Sequence, residues 1–451
     1  MSEPAASQYS TAASAPRARR SLLSRLFVFV LLPLLWASVV FQVVAMSVTI
    51  RKRADRKDFA IYYLSGMQLN RGLPLYQTEF APLATKLGMD TGGIDHATDP
   101  PSFIALFAPL SRLPLKTSVM VWTAINFACL VLSLILLIGP GSGLSPWAAW
   151  TFAALVFWYP PVVDHFYYGQ NKIILLAMLV LMMHWMRRRR DAWAGLMLAL
   201  ACLTRLFPLL MAGYLILERR WRVLAYTVIG IIAGGLLTVA VCGIPSTLAF
   251  SRGVSLLTGF STPRVQDIAM AGFISRLFWR VCGAQPGAAL DLLRHAAIAA
   301  ADIAVVLLVI RASLTTTAGA DRDWRIFSLW AAAAIVLSPV AWPHYMVIFI
   351  IPFAQMAVAA SDGRASRRAI VMALTSCALI TLWMLYGTQF ARPKEPWFGW
   401  ALSECGFFAM FTGFVAAYWF AMDAPDALPA VPLRAMPRQV LSRVLRAAPV
   451  H

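Results

Sequence analysis

A single carboxylate, Asp58, stands between a run of bases and a run of aromatic residues. The bases before it are Arg51, Lys52, Arg53, Arg56 and Lys57, and the aromatic residues after it include Phe59, Tyr62 and Tyr63. Cationic side chains bind phosphate oxygens, and a carboxylate takes a proton from an attacking hydroxyl group. This pattern predicts a general base beside a bound phosphate. A capping role, in which Asp58 only stabilises the positive end of a helix, is the alternative.

The stretch around Asp58 begins at a membrane surface, because it directly follows an apolar run over 26–50. From Asp58 onward, apolar residues recur at roughly helical spacing as far as Leu69. This spacing predicts an amphipathic helix that lies along the membrane interface. A base at that depth suits a substrate that is linked to a phospholipid.

The composition excludes a soluble domain. The chain has 451 residues, of which 60% are apolar and 13% are charged. Its apolar runs are about 17–25 residues long, which is the length of a transmembrane helix. We therefore expect an all-α polytopic membrane protein that lies in a lipid bilayer. The net charge of +19 comes from bases in loops beside the apolar runs, which is typical of topology signals and contacts with anionic lipids rather than of nucleic-acid binding.

The six cysteines predict neither a disulfide framework nor a zinc site, because they are scattered and form no CxxC pair. No metal site and no cofactor is expected. The sequence Asp321-Arg322-Asp323 spells a DxD motif, but it falls in a short predicted loop with no strand before it, which favours a chance occurrence. The first apolar run is too long for the core of a signal peptide, so we expect it to remain as a signal anchor.

Arginine blocks in short loops set the expected orientation. Residues 1–25 form a basic cytoplasmic tail, 26–420 the transmembrane domain, and 421–451 a second basic cytoplasmic tail. One consistent topology places every later block in the cytoplasm, namely the bases within 187–190, 219–222, 311–325 and 364–368. The basic stretch 51–57 opens the first outer loop, 51–116, and argues against this orientation, but the later blocks outnumber it.

The remaining apolar runs predict single crossings and one broken segment. The single crossings are 26–50, 117–138, 146–159, 171–186, 224–244, 290–310, 326–340, 345–360, 369–386 and 399–419. The segment 192–217 has arginines at both ends, with Arg205 and Pro208 in its middle. Two short helices that meet near Arg205–Pro208 keep both ends in the cytoplasm. With this hairpin the chain crosses the membrane about twelve times.

The unusual polar residues fall on the outer face under this topology. They lie at Asp58, 95–101, 159–172, Arg205, 266–267 and 338–345. The cytoplasmic loops carry little besides arginines. This one-sided distribution predicts a site that faces outward.

Each of these residues also has a purely structural alternative. Arg205 either binds phosphate or reaches a headgroup layer as a stray base, and its position in mid-segment favours phosphate. His344 either touches substrate or belongs only to an interfacial aromatic belt. Gln170-Asn171 either serves the site or caps a helix, and Asp164-His165 either serves the site or stabilises the turn after two prolines.

Taken in order, the motifs resemble those of the family-87 glycosyltransferases of the GT-C superfamily, over residues 25–420. The resemblance rests on Asp58-Phe59 with Tyr62-Tyr63, Gly72-Leu73-Pro74-Leu75-Tyr76, Asp99-Pro100-Pro101, Pro109-Leu110 with Leu113-Pro114, Gly169-Gln170-Asn171, and Ser338-Pro339 with Trp342 and His344-Tyr345. The chain departs from the family pattern in two places. Arg205 stands where the family usually has lysine, and Gln266-Asp267-Ile268-Ala269 stands where an Asn-Gln-Ser-like run is common.

The resemblance implies a GT-C-type helical bundle with transferase activity. The implied donor is a polyprenyl-phosphate-linked sugar, usually mannose or arabinofuranose. The implied acceptor is a hydroxyl group of a lipid or a cell-envelope glycan on the extracytoplasmic face of a bacterial plasma membrane. Transfer would invert the anomeric carbon, with Asp58 as the base, and cationic side chains can hold the departing phosphate without a metal.

The predicted site therefore combines a base, phosphate ligands and a lining. The base is Asp58, and the phosphate and lipid ligands are Arg205, Lys172, Arg53 and Arg56. The substrate-lining residues are Tyr62, Tyr63, Gln170, Asn171, Trp342, His344 and Tyr345.

Two other classes of protein would fit parts of the pattern. A transporter or flippase of a lipid-linked saccharide also uses a broken helix with an intramembrane charge. Such proteins usually have paired inverted halves, and the second half of this sequence has no counterpart of the break, which favours an enzyme. A membrane scaffold without catalytic activity is disfavoured by the collection of Asp58, Arg205 and His344 on one face.

Overall fold

The molecule is described by a computed structural model that covers residues 26–52, 57–89, 96–257, 265–282, 287–317, 319, 321–387 and 397–423. Within these ranges the chain forms helices and no β-strand. The prediction of an all-α polytopic membrane protein is confirmed in this form. Arg53, Arg56, the predicted tail 1–25 and residues 424–451 of the second tail lie outside the described residues.

The α-helices follow one another with short connections. The first half contains α1 (Leu32–Lys52), α2 (Lys57–Asn70), α3 (Ala81–Leu87), α4 (Pro101–Phe107), α5 (Leu115–Ile138), α6 (Pro146–Trp158), α7 (Pro160–Tyr168), α8 (Lys172–Arg187) and α9 (Asp191–Thr204). The second half contains α10 (Met211–Leu217), α11 (Trp221–Leu257), α12 (Met270–Cys282), α13 (Ala288–Thr315), α14 (Arg322–Val336), α15 (Ile350–Ser361), α16 (Arg367–Tyr386), α17 (Trp397–Ser403) and α18 (Cys405–Met422). A π-helical turn, Phe27–Leu31, precedes α1, and 3-10 helices lie at Leu110–Arg112, Phe207–Leu210 and Pro343–Phe349.

Seven helical segments among the described residues are long and apolar enough to cross a membrane. They are Phe27–Lys52, Leu115–Ile138, Trp221–Arg252, Ala288–Thr315, Pro343–Ser361, Arg367–Tyr386 and Cys405–Met422. Shorter apolar helices occur at Pro146–Trp158, Asp191–Thr204 and Phe207–Leu217. The count of about twelve crossings stays a prediction, because helices of 10–17 residues are shorter than the hydrocarbon core is thick.

Some predicted crossings match the structure closely and others do not. The helix predicted at 224–244 corresponds to the first part of α11, which ends where Gly243 has the non-helical angles φ 78° and ψ 156°, and a second helical stretch continues from this kink to Leu257. The helix predicted at 326–340 ends at Val336. The run 399–419 is divided into α17 and α18 at Glu404.

The prediction of an amphipathic helix after Asp58 is wrong in its exposure, and its position at the membrane interface stays a prediction. Helix α2 exists, but every residue from Phe59 to Gly66 is buried. One side packs on α4 and on the 3-10 helix Leu110–Arg112. The segment that follows α2 thus folds over it, and α2 is a buried helix rather than an amphipathic one.

The segment 192–217 reverses direction near Arg205. Helix α9 ends at Thr204, Arg205 is extended with φ of −152° and ψ of 149°, and the 3-10 helix Phe207–Leu210 leads into α10. Helix α11 packs on α9 through close contacts of Gly195 with Tyr226 and of Gly234 with Leu203. The residue number in α11 increases with that of its partner in α9, so the two helices run parallel. The connection between them must therefore return across the bundle.

Helix α14 forms the centre of the bundle, because all of its residues from Trp324 to Val336 are buried. Helix α18 packs beside it, and α16 packs closely on α18. Gly413 allows this approach, since a Cβ atom there would lie 3.0 Å from both the Phe349 ring and Ser376 Oγ. Ser376 Oγ donates a hydrogen bond of 2.6 Å to the carbonyl oxygen of Ala409.

Ion pairs close the end of the bundle where α14 begins. Arg322 pairs with Glu218 at 2.5 Å, and Arg220 pairs with Asp323 at 3.1 Å. Asp321 pairs with Arg364. All three residues of the Asp321-Arg322-Asp323 sequence therefore have structural partners, which agrees with its interpretation as a chance DxD match.

Candidate active site

Asp58 lies in the first turn of α2, at the start of a rigid helix. The helix is fixed by edge-to-face contacts of aromatic rings, with Tyr62 4.9 Å from Phe103 and 6.2 Å from Trp122 between ring centroids. Each aromatic pair of this kind contributes about 0.5–1.5 kcal/mol beyond the burial of its surface area. The carboxylate of Asp58 is therefore carried by a helix with little freedom to move.

Gln170 joins Asp58 to the turn between α7 and α8. Its side-chain oxygen accepts a hydrogen bond of 2.9 Å from the Tyr62 hydroxyl and one of 3.2 Å from Lys172 Nζ. Gln170 also interacts with the Asp58 side chain and favours its ionised form. Because the amide oxygen already accepts two bonds, the amide nitrogen is the group that can donate to Asp58. Gln170 thus orients the carboxylate.

Arg205 lies against Asp99 at the point where the chain reverses. Its Nη2 atom is 2.5 Å from Asp99 Oδ1, and the Asp99 side chain is 2% exposed. The Tyr62 hydroxyl lies close enough to Arg205 to interact with it. Arg205 and Asp58 are close enough for their charges to interact. Residues that are far apart in the sequence therefore share one polar environment.

Lys172 is completely buried at the start of α8. Within the described residues, its hydrogen bonds go to two neutral amides, at 2.8 Å to Asn171 Oδ1 and 3.2 Å to Gln170 Oε1. Its Nζ atom lies 4.5 Å from the centre of the Tyr345 ring. A buried ammonium group held by neutral partners is costly, and an anionic ligand would relieve that cost. Asn171 directs its side chain to Lys172 and does not cap α8.

A carboxylate–histidine pair completes the same region. His344 Nδ1 is 3.1 Å from Asp164 Oδ2, and both side chains are buried. His165 Nε2 is 3.0 Å from Asn126 Oδ1 on α5. Within the described chain, the other ring nitrogens, His344 Nε2 and His165 Nδ1, are buried without a hydrogen-bond partner. These nitrogens can bind the polar groups of a substrate.

We call this set of residues the Asp58 cluster. It comprises Asp58, Tyr62, Asp99, Asp164, Gln170, Asn171, Lys172, Arg205, His344 and Tyr345.

Burial changes the acidity of two carboxyl groups in the Asp58 cluster. It raises the pKa of Asp58, and the negative charge of Asp99 adds to that increase, whereas Gln170 and Lys172 oppose it. Burial also raises the pKa of Asp164 to about 7, together with the charge of Asp58. A carboxylate with a raised pKa is a stronger base than an ordinary one, provided that it is ionised.

Two predicted lining residues do not join the Asp58 cluster. Tyr63 donates its hydroxyl hydrogen bond to the carbonyl oxygen of Leu113 at 2.7 Å, and its ring stacks on Phe59. Trp342 is partly buried and packs against the apolar core. The helical turn of about 100° between neighbouring residues points Tyr62 and Tyr63 in different directions.

Asp267 has a structural position rather than an open one. The sequence placed it in an outer loop, but its side chain is fully buried. Its Oδ1 atom accepts hydrogen bonds from the N–H groups of Ala269 and Ala341, at 3.1 and 3.0 Å. Arg276 donates to its carbonyl oxygen and to both carboxylate oxygens of Glu404, each at 2.7 Å. This network fixes the segment that leads to His344.

The predicted set of site residues lacks Asp99, Asn126, Asp164 and His165. For Asp164 and His165 the sequence leaves a site role and a role in the turn open. Asn126 carried a usable signal, because it is a polar residue inside an apolar span. Among the described residues, no group of three or more His, Cys, Asp or Glu side chains is arranged to hold a metal ion.

Comparison with known proteins gives two matches. The model of glycosyltransferase family 87 matches residues 98–339, which is more than half of the chain. A polyprenol-phosphate-mannose-dependent alpha-(1-2)-phosphatidylinositol pentamannoside mannosyltransferase from Mycobacterium tuberculosis (strain CDC 1551 / Oshkosh) is 26% identical over 325 residues. That alignment covers 67% of this chain and 69% of the relative. No solved structure matches significantly.

Proposed function

We propose that this chain, which belongs to glycosyltransferase family 87, transfers mannose from a polyprenyl-phosphate donor to a hydroxyl group of a lipid-linked or cell-envelope glycan. The observation that carries the proposal is that one carboxylate, Asp58, interacts with two basic side chains, Arg205 and Lys172, in the Asp58 cluster. The mycobacterial relative, a polyprenol-phosphate-mannose-dependent mannosyltransferase, supports the donor and the sugar.

Asp58 acts as the general base of a single displacement. The acceptor hydroxyl attacks the anomeric carbon of the donor sugar, and its proton passes to the Asp58 carboxylate. The new bond joins the acceptor oxygen to the anomeric carbon. The bond to the phosphate oxygen breaks at the same time, and its electron pair leaves with the polyprenyl phosphate. One displacement of this kind inverts the anomeric configuration.

Arg205 and Lys172 hold the phosphate as its negative charge increases. Arg205 retains donor capacity, because its buried Nε atom has no partner among the described residues while Nη2 binds Asp99. Lys172 contributes a second N–H donor, whose hydrogen bonds in the described residues go to neutral amides. Fixed cations in a site with little water stabilise a departing phosphate strongly. The proposed reaction therefore proceeds without a metal ion.

Polar groups without partners give the sugar its hydrogen bonds. His344 Nε2 and Asn171 Nδ2 are buried and unpartnered within the described residues. Their proximity to Lys172 supports a role in binding the hydroxyl groups of the donor sugar or the acceptor. The Tyr345 ring, beneath Lys172, offers an apolar face against which a sugar ring packs.

The proposed orientation places the Asp58 cluster on the extracytoplasmic side of a bacterial plasma membrane. The arginines of the loops after α8 and α10 lie at the opposite end of the bundle, with Arg187 5.9 Å from the Trp324 ring centre. Basic loops normally remain in the cytoplasm. The proposed bundle has GT-C architecture and about twelve crossings, with α9 and α10 as a hairpin.

Reconstitution distinguishes this activity from that of a transporter. Purified protein in liposomes is given polyprenyl-phosphate [¹⁴C]mannose and a panel of lipid-linked mannosides, with GDP-[¹⁴C]mannose as the control donor. We expect a labelled glycosidic product from the polyprenyl donor alone, also in the presence of EDTA, and NMR should show an inverted anomeric configuration. Movement of the donor across the bilayer without a new glycosidic bond would instead establish a flippase.

A further inference from the structure

A polar cavity lies at the end of the bundle opposite the Asp58 cluster. It has a volume of about 550 Å³ and is lined by residues that include Arg187 and Arg188. Helix α8 connects the two regions, since it begins at Lys172 and ends at Arg187. With a rise of 1.5 Å per residue, these two residues are about 22 Å apart along the helix. The cavity is therefore separate from the candidate active site.

The cavity has a positive charge. Three arginines, Arg187, Arg188 and Arg364, line it, against one carboxylate, Asp321. Arg364 is already paired, with Asp321 and with Asp362. Within the described chain, neither Arg187 nor Arg188 has a carboxylate within ion-pair distance. Two guanidinium groups therefore remain for an anion.

One of these guanidinium groups is held in place. Arg187 lies over the Trp324 ring, 5.9 Å from its centre, in a cation–π arrangement. The turn after α5 forms a neighbouring wall with Gly139, Gly141 and Ser142. Small residues leave room at this wall for a ligand the size of a phosphate group.

The remaining wall is apolar. It is formed by Ile135, Leu136 and Leu137 in the last turn of α5, and by Val358 on α15. Both helices belong to segments that are apolar enough to cross a membrane. The cavity thus places cations directly beside apolar residues of two candidate membrane spans, which matches a molecule with an anionic head and an acyl chain.

We propose that this cavity binds the phosphate headgroup of an anionic phospholipid from the leaflet at that end of the bundle. Arg187 and Arg188 bind the phosphate oxygens, and the first acyl carbons pack on Leu136 and Val358. A soluble phosphate shares the anionic chemistry but makes no use of the apolar wall. The site is independent of the proposed transfer reaction.

The block Arg187–Arg190 offers a matched control. Arg187 and Arg188 line the cavity, whereas Arg189 and Arg190, in the same block, do not. Native mass spectrometry of the full chain in detergent micelles, titrated with phosphatidylglycerol or phosphatidylcholine, measures retained lipid directly. Wild type should retain phosphatidylglycerol preferentially. The double variant Arg187→Gln/Arg188→Gln should bind it about thirtyfold more weakly, and Arg189→Gln/Arg190→Gln should bind it as wild type does.

Three results would overturn the proposal. They are wild-type affinity in Arg187→Gln/Arg188→Gln, an equal loss in the two double variants, and displacement of phosphatidylglycerol by an equimolar amount of inorganic phosphate. The last result would assign the cavity to a soluble phosphate. Arg187→Lys/Arg188→Lys keeps both charges and should retain most of the binding, so the measurement remains informative if the glutamine variant fails to fold.

Discussion

Arg205 Nη2 lies 2.5 Å from Asp99 Oδ1, and this contact joins the end of α9 to the segment that begins α4. A second bond, from Ser102 Oγ to the carbonyl oxygen of Leu203, links the same two segments. Asp99 therefore fixes the position of a cation that interacts with both Tyr62 and Asp58. A guanidinium group has five N–H donors, so one carboxylate does not exhaust it.

We predict that Arg205→Ala weakens donor binding and also lowers stability. Loss of a charge-assisted hydrogen bond should raise the KM for the polyprenyl donor by about 10–100-fold. Asp99 would remain buried without its partner, at a cost of about 3 kcal/mol. Arg205→Lys keeps the charge and should lose less in both properties. Donor titrations and thermal unfolding in detergent measure the two effects separately.

A double variant separates the two roles of Arg205. Arg205→Ala/Asp99→Ala removes both charges and should recover part of the lost stability while the high KM remains. If the donor KM of Arg205→Ala equals that of wild type, Arg205 has no role at the phosphate and only neutralises Asp99.

We predict that Asp58→Asn reduces kcat by about 10²–10⁴-fold, the usual contribution of a general base. Asparagine keeps the shape of the side chain and can still pair with Gln170, so the melting temperature and donor affinity should change little. Asp191→Asn is the control, because Asp191 lies in the first turn of α9 in the same type of position, outside the Asp58 cluster. Turnover of Asp58→Asn within a factor of about three of wild type would remove Asp58 as the base.

The sequence identified the class of protein and the family because apolar runs and ordered motifs are local signals. The predicted topology also placed Asp58 and Arg205 on the same side of the membrane, because the side depends only on the number of crossings between the two residues. It did not show that α2 is buried, because burial depends on the loop that folds over Phe59–Gly66. It did not identify the pairs Arg205–Asp99 and His344–Asp164, whose members are distant in the chain and meet only through helix packing.

We predict that Asp164 makes stability depend on pH in a defined direction. Its pKa is raised from 3.8 to about 7, mainly by burial, so between these values the native carboxyl group holds a proton that the unfolded chain has released. The unfolded state then binds fewer protons, and stability falls as pH rises through this window. Asp164→Asn should flatten this slope in thermal unfolding measured from pH 4 to 8.

Neighbouring titratable groups also contribute to the slope of stability against pH. Asp58, which has a raised pKa, gives a slope of the same sign, so the variant should reduce the slope rather than abolish it. Asp191→Asn serves again as the comparison. An Asp164→Asn slope as steep as that of wild type would mean that Asp164 is ionised throughout the range.

The adjacent residues Tyr62 and Tyr63 provide the sharpest test of the candidate site. The Tyr62 hydroxyl donates to Gln170 at 2.9 Å, within the Asp58 cluster, whereas the Tyr63 hydroxyl donates to Leu113 at 2.7 Å, outside it. Tyr62→Phe should lower kcat/KM by about tenfold, because Gln170 loses one of the bonds that orient Asp58. Tyr63→Phe removes the same atom and should cost about 1 kcal/mol of stability with unchanged activity. Initial rates and melting temperatures of both variants are needed, and equal losses of activity would show that the tyrosines act only through the packing of α2.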